Sequence, residues 1–337
     1  MRRPAAFGVL ALLASAGAPA VAADDLVVLV TGNRMTGEVV ELSRGELTFA
    51  IDGAGRVDID WSNVELLESM RLMQVELGSG ERLSGTLRVP SPARLEVVTE
   101  AGATPVDMRE VIRITPIQGT FLDRTSGSLE LGFDTFNAND ELDWTLHGEL
   151  EHRTQRYLTA LSVDSLVRRR DDAERQQRND LVLSSRRFLR DRWFALGMLE
   201  LEENRELGLS SRALIGGAIG RTLRQTNRTI FALYAGLDYD RERYRDVPGT
   251  ADDTEVLGAL EWDWFEVSGD MELEATLMVF SSLEESRNRA KLDVTLRRGI
   301  VRGYYWSVNL YEDYDSDPPA DFDDTDYGLG IGIGRQF

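Results

Sequence analysis

The chain has 337 residues, no cysteine and a formal charge of −20. The missing cysteines exclude disulfides, thiolate metal sites and a cysteine nucleophile, and the acidic balance argues against a nucleic-acid partner, whose phosphates it would repel. Of 38 basic residues only Lys291 is lysine; forked guanidiniums suit bidentate pairing with carboxylates in a crowded interior, but a genome favouring arginine codons gives the same count, and composition leaves both readings open.

Residues 1–23 read as a secretory signal. Arg2 and Arg3 supply the positive start, Phe7 to Ala18 the short apolar stretch, and Ala20-Val21-Ala22 or Val21-Ala22-Ala23 the small-residue cleavage site. Loss of the two arginines moves the formal charge to −22. The apolar stretch is too short to span a bilayer, and no later segment approaches about 18 uninterrupted apolar residues. Entry into a membrane would therefore require a closed β-barrel.

Residues 24–118 contain an internal repeat. The first copy carries Gly32-Asn33-Arg34-Met35-Thr36-Gly37, then Leu47-Thr48-Phe49-Ala50-Ile51, then Val57-Asp58 with Val64. The second carries Gly80-Glu81-Arg82-Leu83-Ser84-Gly85, then Arg94-Leu95-Glu96-Val97-Val98, then Val106-Asp107 with Val111. Glycines at matching offsets mark matching turns. Each copy predicts four or five short antiparallel strands, a small SH3-like barrel. Trp61 is expected in the core of the first copy. The module has no histidine, and binding and spacer roles both stay open.

Residues 119–337 read as strands. Twelve are predicted, at about 127–136, 141–152, 157–167, 179–189, 193–202, 210–224, 229–240, 255–267, 271–282, 289–300, 304–312 and 326–337. Leu142, Trp144, Leu146 and Leu150 alternate with Glu141, Asp143, Thr145, His147 and Glu149; Ala290, Leu292, Val294 and Leu296 alternate with Arg289, Lys291, Asp293, Thr295 and Arg297. The segments 179–189 and 193–202 alternate least. The last strand alternates Tyr327, Leu329, Ile331 and Ile333 with Gly328, Gly330, Gly332 and Gly334 and ends on Phe337. Every second connection is short, while three others, 168–178, 241–254 and 313–325, are long and polar. Short turns at one end, longer loops at the other and an even strand number are the pattern of outer-membrane barrels. The predicted fold class is all-β: a twelve-stranded antiparallel transmembrane barrel preceded by the repeated module. Trp144, Tyr157, Trp193, Tyr239, Trp262, Trp264, Tyr304, Tyr305, Trp306, Tyr327 and Phe337 fall near strand ends, as interface anchors do.

The face opposite the apolar one carries both signs of charge. Glu141, Asp143, His147, Glu149, Glu261, Asp263, Glu272, Glu274, Arg289, Lys291, Asp293 and Arg297 are the lumen-lining candidates, with Arg221 and Arg186 as further cations. Such charges in a narrow tube must pair, which predicts either a salt-bridged plug or a narrow selective pore. His147 and His152 are five apart and fall on opposite faces, so they cannot share a metal. Ser162 and Asp164 fall inward on the next strand, a weak basis for hydrolytic chemistry; no enzyme activity, cofactor or metal is predicted. Asp315, Asp317, Asp321, Asp323, Asp324 and Asp326 form the densest acidic loop. Closely spaced carboxylates suit a hard cation, and a solvated loop is the plainer reading.

The turn Gly32-Asn33-Arg34-Met35-Thr36-Gly37-Glu38-Val39, the following Ile59-Asp60-Trp61 with Val64, and the barrel ending in Phe337 resemble the salt-induced outer-membrane protein family, defined by a domain of unknown function. The resemblance implies an outer-membrane barrel with a periplasmic amino-terminal extension. The expected role is structural or envelope-maintaining, in salt or osmotic stress among other conditions, with a narrow passive channel for small solutes as the alternative. It carries no catalytic residues. The expected partners are outer-membrane lipid and the barrel assembly machinery, which would read the strand ending in Phe337.

Overall fold

The computed structural model describes residues 25–91, 94–117, 120–136, 141–169, 176–245, 248–266, 271–301, 303–318 and 323–336; the segment read above as a signal, and Phe337, lie outside these. Nine strands form the first part: β1 (Asp25–Leu29), β2 (Arg34–Ser43), β3 (Glu46–Ile51), β4 (Gly55–Asp60), β5 (Val64–Leu77), β6 (Arg82–Ser91), β7 (Arg94–Thr99), β8 (Gly102–Asp107) and β9 (Val111–Pro116). They make one nine-stranded sheet in the order β4-β3-β2-β1-β5-β6-β7-β8, with β9 paired to β2 and β5.

The repeat is visible strand for strand. Strands β3 and β7 share one burial pattern, and β4 and β8 share another. The turn after β1 and the turn after β5 close alike: Leu29 N donates to Asn33 O and Leu77 N to Glu81 O, both at 2.9 Å. The sequence predicts two small barrels, whereas the structure joins both copies in one sheet. The joint is β5, 14 residues long, whose first half serves one copy and second half the other. A copy alone is too small to bury an adequate core; sharing β5 gives a single core in which Phe49, Leu67, Met73, Leu95 and Ile114 are fully buried. Trp61 lies in that core, and its Nε1 donates to the carbonyl of Met108, its counterpart in the second copy, at 2.8 Å.

A short turn, Leu122–Arg124, leads into twelve further strands: β10 (Thr125–Phe136), β11 (Glu141–Arg153), β12 (Tyr157–Arg169), β13 (Gln176–Phe188), β14 (Trp193–Asn204), β15 (Leu209–Gln225), β16 (Thr229–Tyr244), β17 (Ala251–Phe265), β18 (Met271–Ser282), β19 (Asn288–Val301), β20 (Tyr304–Asp315) and β21 (Thr325–Gln336). They form a closed antiparallel barrel in chain order, sealed where β10 pairs with β21. The module sits at one end, called proximal here; the other end is distal.

Alternation decides which face turns out. Leu131, Ile215, Ile219, Leu237, Leu329 and Ile333 are exposed on the outer surface. Trp193, Trp262, Tyr157 and Tyr304 ring its proximal edge, and Trp144, Tyr239, Tyr314 and Tyr327 ring its distal edge. On β21 the glycines face in, and three of the four, Gly328, Gly332 and Gly334, are crowded by lumenal side chains, whereas Gly330 faces open space. A Cβ on Gly328 would meet the Tyr311 ring at 2.4 Å, and one on Gly334 the Tyr305 ring at 2.4 Å.

Two expectations need correction. The long polar loop read at 241–254 is largely strand, since β16 runs to Tyr244 and β17 begins at Ala251, and the one read at 313–325 opens on strand, since β20 runs to Asp315. These residues stand above the apolar belt, where both faces are polar, so charge does not mark a loop there: Arg241 pairs outward with Asp252 at 2.6 Å while Glu242 turns in to Arg212. The distal connections remain the longer set, up to 316–324 against 266–270 at the proximal end. Arg221 faces outward, with its guanidinium 5.7 Å from the Trp193 ring centre, because the inward position beside it is Gly220, pressed against Phe194 and Tyr234. The weak alternation of β14 also has a cause. Phe194, Leu196 and Met198 are apolar yet face inward, because they belong to a second core inside the barrel.

Candidate functional site: the closed lumen and its capped mouth

The distal half of the lumen is crossed by charge pairs. Strand β19 lies five places from β14 and six from β13 around the twelve-stranded ring, so Lys291 stands on the wall opposite both. Its ammonium reaches Glu202 at 2.8 Å, Asp180 at 3.6 Å and Glu200. Arg178 of β13 crosses to Asp313 of β20 at 2.9 Å. Asn204 of β14 donates to Asp326 of β21 at 3.0 Å. Around these, Arg212 joins Glu202 at 2.8 Å to Glu242 at 2.6 Å, and Arg287 joins Glu242 at 2.8 Å to Asp315 at 2.9 Å. Apart from the longer Lys291–Asp180 ion pair and the Arg178–Asp313 ion pair, these are charge-assisted bonds in a buried setting, the strong class of hydrogen bond. Next to this network lies the lumenal core, where Phe194, Leu196, Met198, Leu214, Tyr234, Leu257 and Phe280 pack together.

Lower down, Arg186 donates to Glu261 at 2.6 Å. Arg297 donates to Glu274 at 3.1 Å and lies 3.8 Å from Glu149. Glu272 and Glu274 meet a cation from outside the barrel: Arg44, at the tip of the β2–β3 turn, donates to them at 2.7 and 3.0 Å. That tip is a tight turn with Arg44 at φ 53° and Gly45 at φ 80°, which projects the guanidinium into the proximal mouth.

The second copy of the module grips the rim. Glu76 accepts from Arg82 at 2.9 Å and from Arg153 of the barrel at 3.0 Å. Both guanidiniums stack on Phe188, at 4.3 and 4.6 Å. Burial opposes ionisation of Glu76, and Arg153 and Arg82 outweigh it, holding its carboxyl down at about 2. Asn227 donates to the Val111 carbonyl at 3.0 Å. Gly78 and Gly80 permit the close fit, since a Cβ on Gly80 would strike Arg192 at 2.4 Å.

Of the sequence candidates, His147, Glu149, Glu261, Asp263, Glu272, Glu274, Arg289, Lys291, Asp293 and Arg297 all take the inward phase of their strands. Asp293 stays exposed within the barrel despite standing two residues from Lys291. The side chains of Glu141 and Asp143 lie outside the described residues. His147 Nδ1 is 2.6 Å from Asp164, but its Nε2 accepts from Arg297 at 3.4 Å, so a guanidinium stands where a hydrolase would place its hydroxyl. His152 points the other way, bonded to Thr125 at 2.9 Å and stacked on Phe121.

The acidic loop is not gathered around a common point. Asp315 and Asp326 turn inward and are buried in the lumenal network, Asp323 and Asp324 are exposed, Asp317 donates its backbone N–H to Asp315, and Asp321 lies outside the described residues. Sequence reasoning missed Arg212, Arg287, Asp238, Asp240, Glu242 and Glu255. The available signal was Asp238, Asp240 and Glu242 alternating with Leu237, Tyr239 and Arg241, a strand pattern that continues past the apolar belt.

The family described as "Protein of unknown function, DUF481" matches residues 129–337. No curated protein matches the chain. Among solved structures, the chain is similar to a bacterial polysaccharide outer-membrane secretin, with 11% identity, 63% of this chain and 97% of that one covered, and a TM-score of 0.35. It is similar to the NanC porin, with 11% identity, 63% and 98% covered, and a TM-score of 0.37. A third is the translocator domain of the autotransporter NalP from Neisseria meningitidis, with 13% identity, 65% and 90% covered, and a TM-score of 0.37.

Proposed function

The chain belongs to the DUF481 family of proteins of unknown function, and we propose that it is a structural barrel of the outer membrane, closed to solutes and serving envelope maintenance. The observation that carries this reading is Lys291, held by carboxylates from the opposite wall across the lumen. A conducting pore keeps its centre free, whereas this lumen spends its width on ion pairs and an apolar core.

The membrane assignment rests on the outer surface. A closed barrel has no strand edge left to satisfy, and an exposed belt of leucine and isoleucine between two aromatic rings matches a hydrocarbon layer with its interfaces. Both barrel termini lie at the proximal end, which supports reading the module as periplasmic and the longer connections as external. On this reading the strand ending in Phe337 is what the barrel assembly machinery engages.

A second reading, a narrow path for small cations, draws on Asp164 and Asp293, which keep exposed carboxylates inside the barrel. Two measurements separate these readings. Fractionation of the native host is expected to recover the protein in the outer membrane, extractable only by detergent; recovery in the soluble periplasm overturns the membrane assignment. The purified full chain is expected to give no steady current in planar bilayers at neutral pH. A steady cation current would replace the closed barrel with the channel.

A further inference from the structure

Among the described residues, two groups of three carboxylates bring their oxygens within 4.8 Å of one another: Asp180, Glu200 and Glu202, and Asp238, Asp240 and Glu255. The first group already holds a cation, the Lys291 ammonium. The second is different. Strands β16 and β17 place Asp238 directly opposite Glu255 in register, with Asp240 the next inward residue on β16. All three are buried, Asp238 at 3% exposure and the other two at 0%.

Arg289 is the guanidinium hydrogen-bonded to this group. Its Nε donates to Glu255 Oε1 at 3.0 Å, and its Nη2 donates to Glu255 Oε2 and, at 2.8 Å, to Asp240 Oδ2. Arg212 stands 4.0 Å from Asp240 but donates its hydrogen bonds to Glu202 and Glu242. Both oxygens of Asp238 and the second oxygen of Asp240 are left without a partner. A buried carboxylate with no donor at either oxygen is costly, because nothing replaces the water it gave up. Three carboxylates against one guanidinium leave two negative charges, the charge of one divalent ion.

We infer that Asp238, Asp240 and Glu255 form a lumenal binding site for one calcium-class divalent cation at the distal end of the barrel. The donors are all oxygens, as hard cations require. Carboxylates fixed on two paired strands offer several direct protein ligands, which suits calcium better than magnesium, an ion that keeps much of its water. Asp238 supplies two free oxygens and Asp240 one, while Glu255 shares its oxygens between Arg289 and the ion. The ion ties β16 to β17 and counters the acidic excess that Arg289 leaves. This assignment stands whether the lumen is closed or conducts, since it concerns one pair of strands.

The test uses the full chain folded in detergent, stripped with EDTA and dialysed to equilibrium against calcium chloride. Wild type is expected to retain one calcium per chain, and calcium is expected to raise its unfolding temperature more than magnesium does. Asp238→Asn is expected to lose that calcium, with Asp238→Ser as a second variant; heat-modifiable migration reports whether each is folded. Asp317→Asn, in the outer acidic loop, is expected to retain it. Unchanged calcium content in a folded Asp238 variant places the ion elsewhere and overturns the assignment. A wild-type unfolding temperature indifferent to calcium overturns it without any variant, leaving a proton shared between Asp238 and Glu255 as the way the pair is satisfied.

Discussion

Replacing Lys291 by methionine is the most direct test of the closed lumen. Methionine keeps most of the side-chain volume and removes the charge, so packing changes little while Asp180, Glu200 and Glu202 lose their shared cation. Glu202 keeps Arg212 at 2.8 Å, but Glu200 has no second ion pair among the described residues. At an effective dielectric of about 20, a charge pair near 2.8 Å is worth about 6 kcal/mol before desolvation. Deleting one partner of a buried network typically costs about 3–5 kcal/mol, because the remaining charges stay buried and uncompensated. The assay is urea unfolding in detergent micelles, with planar-bilayer current recorded on the same preparation. Arg241→Ala is the control, since its partner Asp252 is exposed at the distal rim and surface pairs contribute little. The expected outcome is a loss of about 3–5 kcal/mol for Lys291→Met, no measurable loss for the control, and intermittent current in the first variant only. If Lys291→Met matches the control and stays closed, the cross-lumen brace is not what holds this barrel shut.

The module contacts give two further expectations. Arg44→Glu places a carboxylate beside Glu272 and Glu274, so the module should remain folded but become more accessible to protease at the barrel mouth; unchanged protection would show that the second copy alone sets the docking. Glu76 provides the pH dependence. Its carboxyl is held at about 2 against an ordinary 4.5, so its contribution is complete above about pH 4.5 and is lost as pH falls toward 2. A shift of that size corresponds to about 3 kcal/mol. Module protection should fall across that window in wild type and should be already reduced and flat across it in Glu76→Gln; a wild-type profile without a step there refutes the role given to Glu76.

Much of the barrel was legible in the sequence because lipid-facing and lumen-facing positions obey a period of two wherever the outside is apolar. Twelve strands and the inward phase of Lys291, Arg297 and Glu261 follow from that rule alone. It fails in two places for two physical reasons. Above the belt, the outer face of β16 and β17 is as polar as the inner one, so Arg241 through Thr254 lose their contrast and read as loop. On β14 the inner face is as apolar as the outer, because Phe194 and Met198 fill the lumen. The cross-lumen pairs were not legible at all. Lys291 and Glu200 are 91 residues apart in the chain, and only closure of the ring makes them neighbours.

The repeat in the module explains which copy faces which part of the barrel. Val30 and Gly78 occupy equivalent positions, each donating its backbone N–H to the equivalent carbonyl, Asn63 and Glu110, at 2.9 Å. Gly78 packs on the β15–β16 turn so closely that a Cβ would lie 3.1 Å from the Gln225 carbonyl, whereas Val30 is 58% exposed. A valine at position 78 would push the module off that turn, so the second copy docks because it lacks the side chain that the first one has. The opposite asymmetry appears at the next hairpin. The first copy carries Arg44-Gly45, which reaches Glu272 and Glu274, while the matching stretch of the second is Pro92-Ala93 and has no cation to offer. The two copies share a strand pattern but not a sequence, and they meet the barrel through different residues. The missing side chain at Gly78, the charge of Arg44 and Glu76, which stands where the first copy has Val28, together distinguish the two copies at the mouth.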